Sequence, residues 1–139
     1  MNKIIPALIF FLFGTFFLNA QNTIEVEITN FESNKGYVLV ALHNTEDSFL
    51  KEEFLGRKSE IKEDKVVVEF DDVPDGTYAI SLFHDEDADG EMNTNFIGMP
   101  KENYGVSNNA PANFGPPKWK DAKFEVKNGE TVKQEIELR

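Results

Sequence analysis

Ile24, Val26 and Ile28 alternate with Glu25, Glu27 and Thr29, and this period of two governs most of the chain. Successive side chains of a strand point to opposite faces of a sheet, so the alternation describes a strand with one buried and one wet face. Residues 37–43 read as a second strand, apolar on both faces and therefore central. Residues 66–70 and 78–83 are two more, separated by Val73-Pro74-Asp75-Gly76-Thr77. That is a turn with a mechanism, because Pro fixes one dihedral and Gly permits a positive one. Asn34-Lys35-Gly36 is expected to close a hairpin between the first two strands. Asn128-Gly129, a strong two-residue hairpin signal, is expected to join strands at 122–126 and 131–138. Between residues 44 and 65 the pattern mixes; a short helical turn over 48–54 followed by an edge strand is the reading adopted.

With no long helical period, six or seven short strands imply an all-β fold, an antiparallel β-sandwich of about seven strands. One long loop, residues 95–120, interrupts them. It carries Pro100, Pro111, Pro116 and Pro117 with Gly98, Gly105 and Gly115. Phe96, Ile97, Met99, Tyr104, Phe114 and Trp119 supply the apolar area that would keep such a loop ordered.

Residues 1–20 stand apart from this pattern. Lys3 is followed by an uncharged apolar run over 4–18, and Leu18-Asn19-Ala20 ends on a small residue suited to cleavage before Gln21. Those are the parts of a secretory signal peptide, and the run is shorter than the roughly 20 residues that span a bilayer. The expected product is a single domain, residues 21–139, periplasmic or secreted. Cysteine is absent, so neither a disulfide nor a lipid-modified Cys is available. A chain of this size buries about two-thirds of its unfolded surface, enough for a core without staples. Against 14 Lys and Arg stand 25 Asp and Glu, a net charge of −11 that argues against nucleic acid or an anionic membrane as partner. No membrane insertion is expected once the leader is removed.

The densest chemistry lies in His84-Asp85-Glu86-Asp87-Ala88-Asp89-Gly90-Glu91-Met92-Asn93-Thr94-Asn95, with five carboxylates inside seven residues. Like charges at contact repel by about 1 kcal/mol per pair in water and by more near a protein surface. A hard divalent ion reverses that sign. Calcium takes 6–8 oxygens at roughly 2.3–2.6 Å, and D-x-D-x-D-G opens a calcium loop. In that template Asp85, Asp87 and Asp89 supply side-chain oxygens, Gly90 the sharp turn, Glu91 its carbonyl, and Asn93 an oxygen directly or through water. The twelfth position, where an EF-hand has a bidentate Glu, holds Phe96, and the flanks are strand-like, so an EF-hand is rejected. The remaining ligands must then come from Asn95, Glu102, Asn108 or Asn109.

Other chemistries are thinner. His43 and His84 both sit at strand ends and would make a two-His transition-metal site or a base only if they met across a sheet. Ser81 and Ser107 have no nucleophile-elbow context. Carboxylate pairs for glycoside hydrolysis are better read as ion ligands. Tyr104, Phe114 and Trp119 would form a glycan or peptide platform if exposed together.

Three ordered segments then carry a resemblance. Val73-Pro74-Asp75-Gly76-Thr77-Tyr78-Ala79-Ile80, the acidic stretch, and Gly98-Met99-Pro100-Lys101-Glu102-Asn103-Tyr104-Gly105-Val106-Ser107-Asn108-Asn109 are similar to the bacterial family termed domain of unknown function 2141. Gly115-Pro116-Pro117-Lys118-Trp119-Lys120-Asp121-Ala122 resembles it as well. The resemblance implies a secreted or periplasmic sandwich, immunoglobulin-like or transthyretin-like, and no established activity. Relative to that family's common acidic loop, Asp87, Ala88 and Asp89 stand where Asn, Gly and Asn are usual, and Asn93 where Asp is usual. The resulting expectation is a calcium-binding module of the envelope with a protein or glycan partner and no catalysis. The alternatives are a hydrolase using the acidic loop and His84, or a glycan- or peptide-binding module using the aromatic loop.

Overall fold

In the computed structural model, which describes residues 21–139, the first alternation becomes β1 (Asn22–Thr29), whose buried and half-buried residues alternate without a break. The expected leader, residues 1–20, lies outside the described residues. The strands that follow are β2 (Tyr37–His43), β3 (Leu55–Glu60), β4 (Lys65–Val73), β5 (Gly76–Asp85), β6 (Tyr104–Val106), β7 (Phe124–Val126) and β8 (Thr131–Glu137). They form two sheets, β4-β1-β8 and β3-β2-β5-β6, with β7 alongside the start of β5. The pairing is antiparallel except between β1 and β8, which run parallel. No helix among the described residues is long and apolar enough to cross a membrane.

The two sheets face each other through their apolar rows. Ile24, Val26, Ile28, Val66, Phe70 and Ile136 from the first meet Val38, Val40, Leu42, Ile80 and Leu82 from the second in one buried cluster. Burying each such side chain contributes about 1.5–3 kcal/mol, and without disulfides this cluster is the main source of stability.

Both expected hairpins are corrected by this arrangement. β1 and β2 lie in different sheets, so residues 30–36 cross the sandwich instead of turning within a sheet. The apolar rows of β1 and β2 bury each other by facing across the core, which side-by-side pairing would not achieve. Asn128 and Gly129 do take the positive φ values of a tight turn, 63° and 67°, and Glu130 N–H donates to the Lys127 carbonyl. The strands they connect nonetheless separate, β7 to β5 and β8 to β1. Buried Asn22 anchors the junction: its side-chain oxygen accepts Glu130 N–H at 3.1 Å, and its amide donates to the Val73 carbonyl at 2.9 Å. In place of the helical turn expected over 48–54 the chain forms turns over residues 46–51, and β3 is the expected edge strand.

The long segment after residue 95 is more structured than its lack of period suggests. It contains β6, a 3-10 turn at Ser107–Asn109 and a single helical turn, α1 (Trp119–Ala122). Val106, Ala110 and Ala122 close over Phe49 and Ala79 in a second apolar cluster, with Trp119 packed against it. β6 covers residues 81–83 of β5 and β7 covers 76–78. In the gap between them, buried Ser107 accepts the Ile80 N–H at 2.9 Å and donates to the Ala122 carbonyl at 2.5 Å.

Candidate metal centre

β5 runs on to Asp85, whose residue surface is fully buried. The chain then turns back on itself, with Ala88 and Gly90 at φ 59° and 80°. Each aspartate caps backbone ahead of it. Asp85 accepts Asp89 N–H at 3.2 Å and Gly90 N–H at 2.9 Å, Asp87 accepts Asp89 N–H at 3.3 Å, and Asp89 accepts Glu91 N–H at 2.9 Å. These are the local side-chain-to-backbone bonds that short acidic residues favour in loops. They bend the segment so that three carboxylates face one point.

A fourth arrives from farther along the chain. Lys101 N–H donates to the Asn93 carbonyl at 2.8 Å, and His84 N–H to the Asn103 carbonyl at 2.8 Å, which returns the chain to the acidic loop. Glu102 thereby accepts Asn93 N–H at 3.1 Å. One oxygen from each of Asp85, Asp87, Asp89 and Glu102 then lies within 4.8 Å of all the others. Two ligands on opposite sides of a calcium ion, each at roughly 2.4 Å, are separated by about that distance.

Electrostatics set these carboxylates against one another. Burial raises the Glu102 carboxyl above its usual 4.5, and the charges of Asp85, Asp87 and Asp89 push it the same way against the opposing Asn93 hydrogen bond. Desolvation also raises Asp87, but hydrogen bonds donated by the Asp89 backbone N–H and the Asn93 side-chain amide outweigh it and leave the group below its usual 3.8. Among the described residues, no lysine or arginine forms an ion pair with any of the four.

The other expected ligands go elsewhere or stay at the rim. Glu91 is exposed, and Asn93 donates its amide to Asp87 at 2.9 Å. Asn95 spends its side-chain oxygen on Ile97 N–H and Met99 N–H, both at 3.0 Å. Asn108 and Asn109 bind the backbone near α1 and along β8, holding the long segment to the first sheet. Of the four outlying donors, only Glu102 joins the group; its signal was an acidic residue in a segment otherwise read as loop.

The two histidines do not meet, so the thinner two-His reading has no site. In the β2–β5 ladder His43 faces Ala79 while Val38 faces His84, placing them five residues apart, on the order of 17 Å. His84 turns inward, edge-on to Phe31, with its Nε2 at 2.6 Å from the Lys35 carbonyl. His43 holds Ser81 Oγ at 2.8 Å from Nε2 and the Glu52 carbonyl at 2.9 Å from Nδ1. A carbonyl opposite Nδ1 requires the proton there, so Nε2 accepts the Ser81 hydroxyl. Such a chain has the connectivity of a nucleophile and its base, yet Ser81 lies in mid-strand, its backbone shared between β2 and β6. The amides an oxyanion would need are taken by the sheet.

Nor do the three aromatics share a setting. Trp119 packs edge-on to Phe49 at 5.8 Å, Tyr104 lies under the Arg139 guanidinium, and Phe114 stands free in solvent.

No curated protein and no solved structure matches the chain. A sequence pattern built for one bacterial family does match, over residues 26–134, a span that starts inside β1, ends inside β8 and includes every member of the carboxylate group. The chain therefore belongs to DUF2141, described as uncharacterized protein conserved in bacteria.

Proposed function

We propose that Asp85, Asp87, Asp89 and Glu102 bind calcium, and that the protein is a calcium-stabilised binding or structural module of the cell envelope, not an enzyme. The observation that carries this reading is the convergence of four carboxylate oxygens within 4.8 Å, one of them from a residue fully withdrawn from water. Carboxylate oxygens have lone pairs left after accepting one amide each, so the loop's own hydrogen bonds and an ion are compatible. Asp87 and Asp89 are exposed, which leaves room for water to complete a coordination shell of 6–8 oxygens. Calcium suits this mixed and partly open set better than magnesium, which demands near-ideal octahedral geometry.

The ion would join the loop after β5 to the segment that returns at Glu102, ordering one end of the sandwich. The leader-like residues 1–20 support an envelope location, with a protein or glycan as the partner of that ordered end. Calorimetric titration of metal-stripped protein tests the reading. About one equivalent of calcium should bind, magnesium more weakly, and Asp87→Ala and Glu102→Gln should each reduce affinity. No heat of binding with either ion overturns it.

A further inference from the structure

Glycine directly follows an aspartate or asparagine at three places in the chain, Asp75-Gly76, Asp89-Gly90 and Asn128-Gly129. Such a junction can react with itself, because glycine has no side chain to shield its backbone nitrogen from the side-chain carbonyl carbon of the residue before it. What holds the two groups then decides the outcome.

The structure separates the three junctions. Asp75 accepts the Asn22 side-chain amide at 2.8 Å, and Gly76 is the first residue of β5, paired with Val126 of β7. Asp89 accepts Glu91 N–H at 2.9 Å, while Gly90 N–H is committed to Asp85, also at 2.9 Å. Both are carboxylates as well, whose negative charge makes a poor electrophile near neutral pH. Asn128 and Gly129 differ in each respect. The amide of Asn128 is uncharged, both residues are exposed, and among the described residues neither the Asn128 side chain nor Gly129 N–H has a hydrogen-bond partner. Attack requires Asn128 to rotate out of its φ of 63°, and an exposed turn tip is where local opening costs least.

The residue that follows the pair is pinned. Glu130 N–H reaches Asn22 Oδ1 at 3.1 Å and the Lys127 carbonyl at 3.3 Å, and the Glu130 carbonyl accepts Thr23 N–H at 3.1 Å. This is the junction from which β7 leaves for β5 and β8 for β1. A backbone lengthened just upstream would push Glu130 away from buried Asn22.

We propose that Asn128 is a site of spontaneous deamidation in the folded protein, and that its isoaspartyl product loosens the junction between β7 and β8. The Gly129 nitrogen bonds to Asn128 Cγ, the bond from Cγ to Nδ2 breaks, and ammonia leaves with the proton from the Gly129 nitrogen. Water then opens the cyclic imide. Opening at Cγ gives aspartate at position 128. Opening at the backbone carbonyl carbon gives isoaspartate, with the chain running through Cβ and Cγ and one carbon longer.

The test ages the folded protein in mildly alkaline buffer beside a sample in urea. Products are mapped by peptide mass spectrometry, with isoaspartate detected by enzymatic methylation. In the native sample Asn128 should convert ahead of every other asparagine, with isoaspartate among its products. Amide exchange at Glu130 should be at least about tenfold faster in the isoaspartyl fraction than in fresh protein. Asn128→Asp carries the same charge on an ordinary backbone and should exchange there as the parent does. Conversion confined to urea, another asparagine converting first, or aspartate alone, the product of direct hydrolysis, overturns the proposal. So does Glu130 exchange that is unchanged in the isoaspartyl fraction or equally fast in Asn128→Asp.

Discussion

The carboxylate of Asp85, the last residue of β5, accepts the backbone N–H of Gly90 at 2.9 Å. That single bond, with its partner from Asp89, makes Asp85 a structural cap of the acidic loop as well as a candidate ligand. Asp87 instead sits at the exposed side of the same group. The two should therefore separate by experiment. Asp85→Ala strands amides and should cost about 1–3 kcal/mol even in chelator, whereas Asp87→Ala should act chiefly on calcium affinity. Urea unfolding of both variants with and without calcium checks this; equal losses in chelator would show that Asp85 has no capping role.

Gly36 lies against the same residue from the other side. It takes φ 69°, and a Cβ there would fall 1.9 Å from the Asp85 carbonyl oxygen. Gly36→Ala should destabilise by about 2 kcal/mol or more through backbone strain and displacement of the strand end. A denaturant midpoint unchanged from the parent would refute this. The crossover between sheets is legible in the sequence only as a turn; that it demands glycine follows from a backbone forty-nine residues away in the chain.

The raised Glu102 carboxyl makes a pH prediction with a definite sign. Between its usual 4.5 and its higher folded value the native state binds more protons than the unfolded one, so its contribution to stability falls as pH rises through that interval. Asp87, shifted down, acts in the opposite sense and below pH 3.8. Melting temperature against pH in chelator should therefore carry a downward component above pH 4.5 that Glu102→Gln removes. If the variant and the parent trace parallel curves, the crowding of Glu102 is not felt.

His43 gives the reverse slope. Burial lowers its pKa below 6.5 against the Glu52 hydrogen bond and the Glu53 charge, so the unfolded state binds more protons in the interval just under 6.5. Its contribution is present above pH 6.5 and is lost as pH falls through the folded value. His43→Gln should flatten melting temperature between pH 5 and 7, and an unaltered slope would count against it.

Ser107 is the link between β5 and the segment that carries Glu102. Ser107→Ala leaves the Ile80 N–H and the Ala122 carbonyl without their partner and should cost about 1–3 kcal/mol. Its cost should appear in hydrogen exchange first at Ile80. Exchange there as slow as in the parent would place the support elsewhere.

What the sequence determined by itself is local. The period of two is a property of neighbouring residues, so β1, β2, β4 and β5 could be read before any partner was known. The positive φ of Asn128 and Gly129 and the aspartates that bond their own following amides arise from chemistry within a few residues as well. What only the tertiary structure decided is which of these pieces meet. β8 lies parallel to β1 and β7 leaves for β5, although a tight turn joins β7 to β8, because the apolar rows must close one core between two sheets. Glu102 joins Asp85, Asp87 and Asp89, while Asn108 and Asn109 do not, for the same kind of reason: the returning segment is registered by Asn93, Lys101 and Asn103 backbone bonds that no periodicity announces. Burial and exposure follow from that packing, which is why Asp85 is withdrawn from water and Phe96 is left in it.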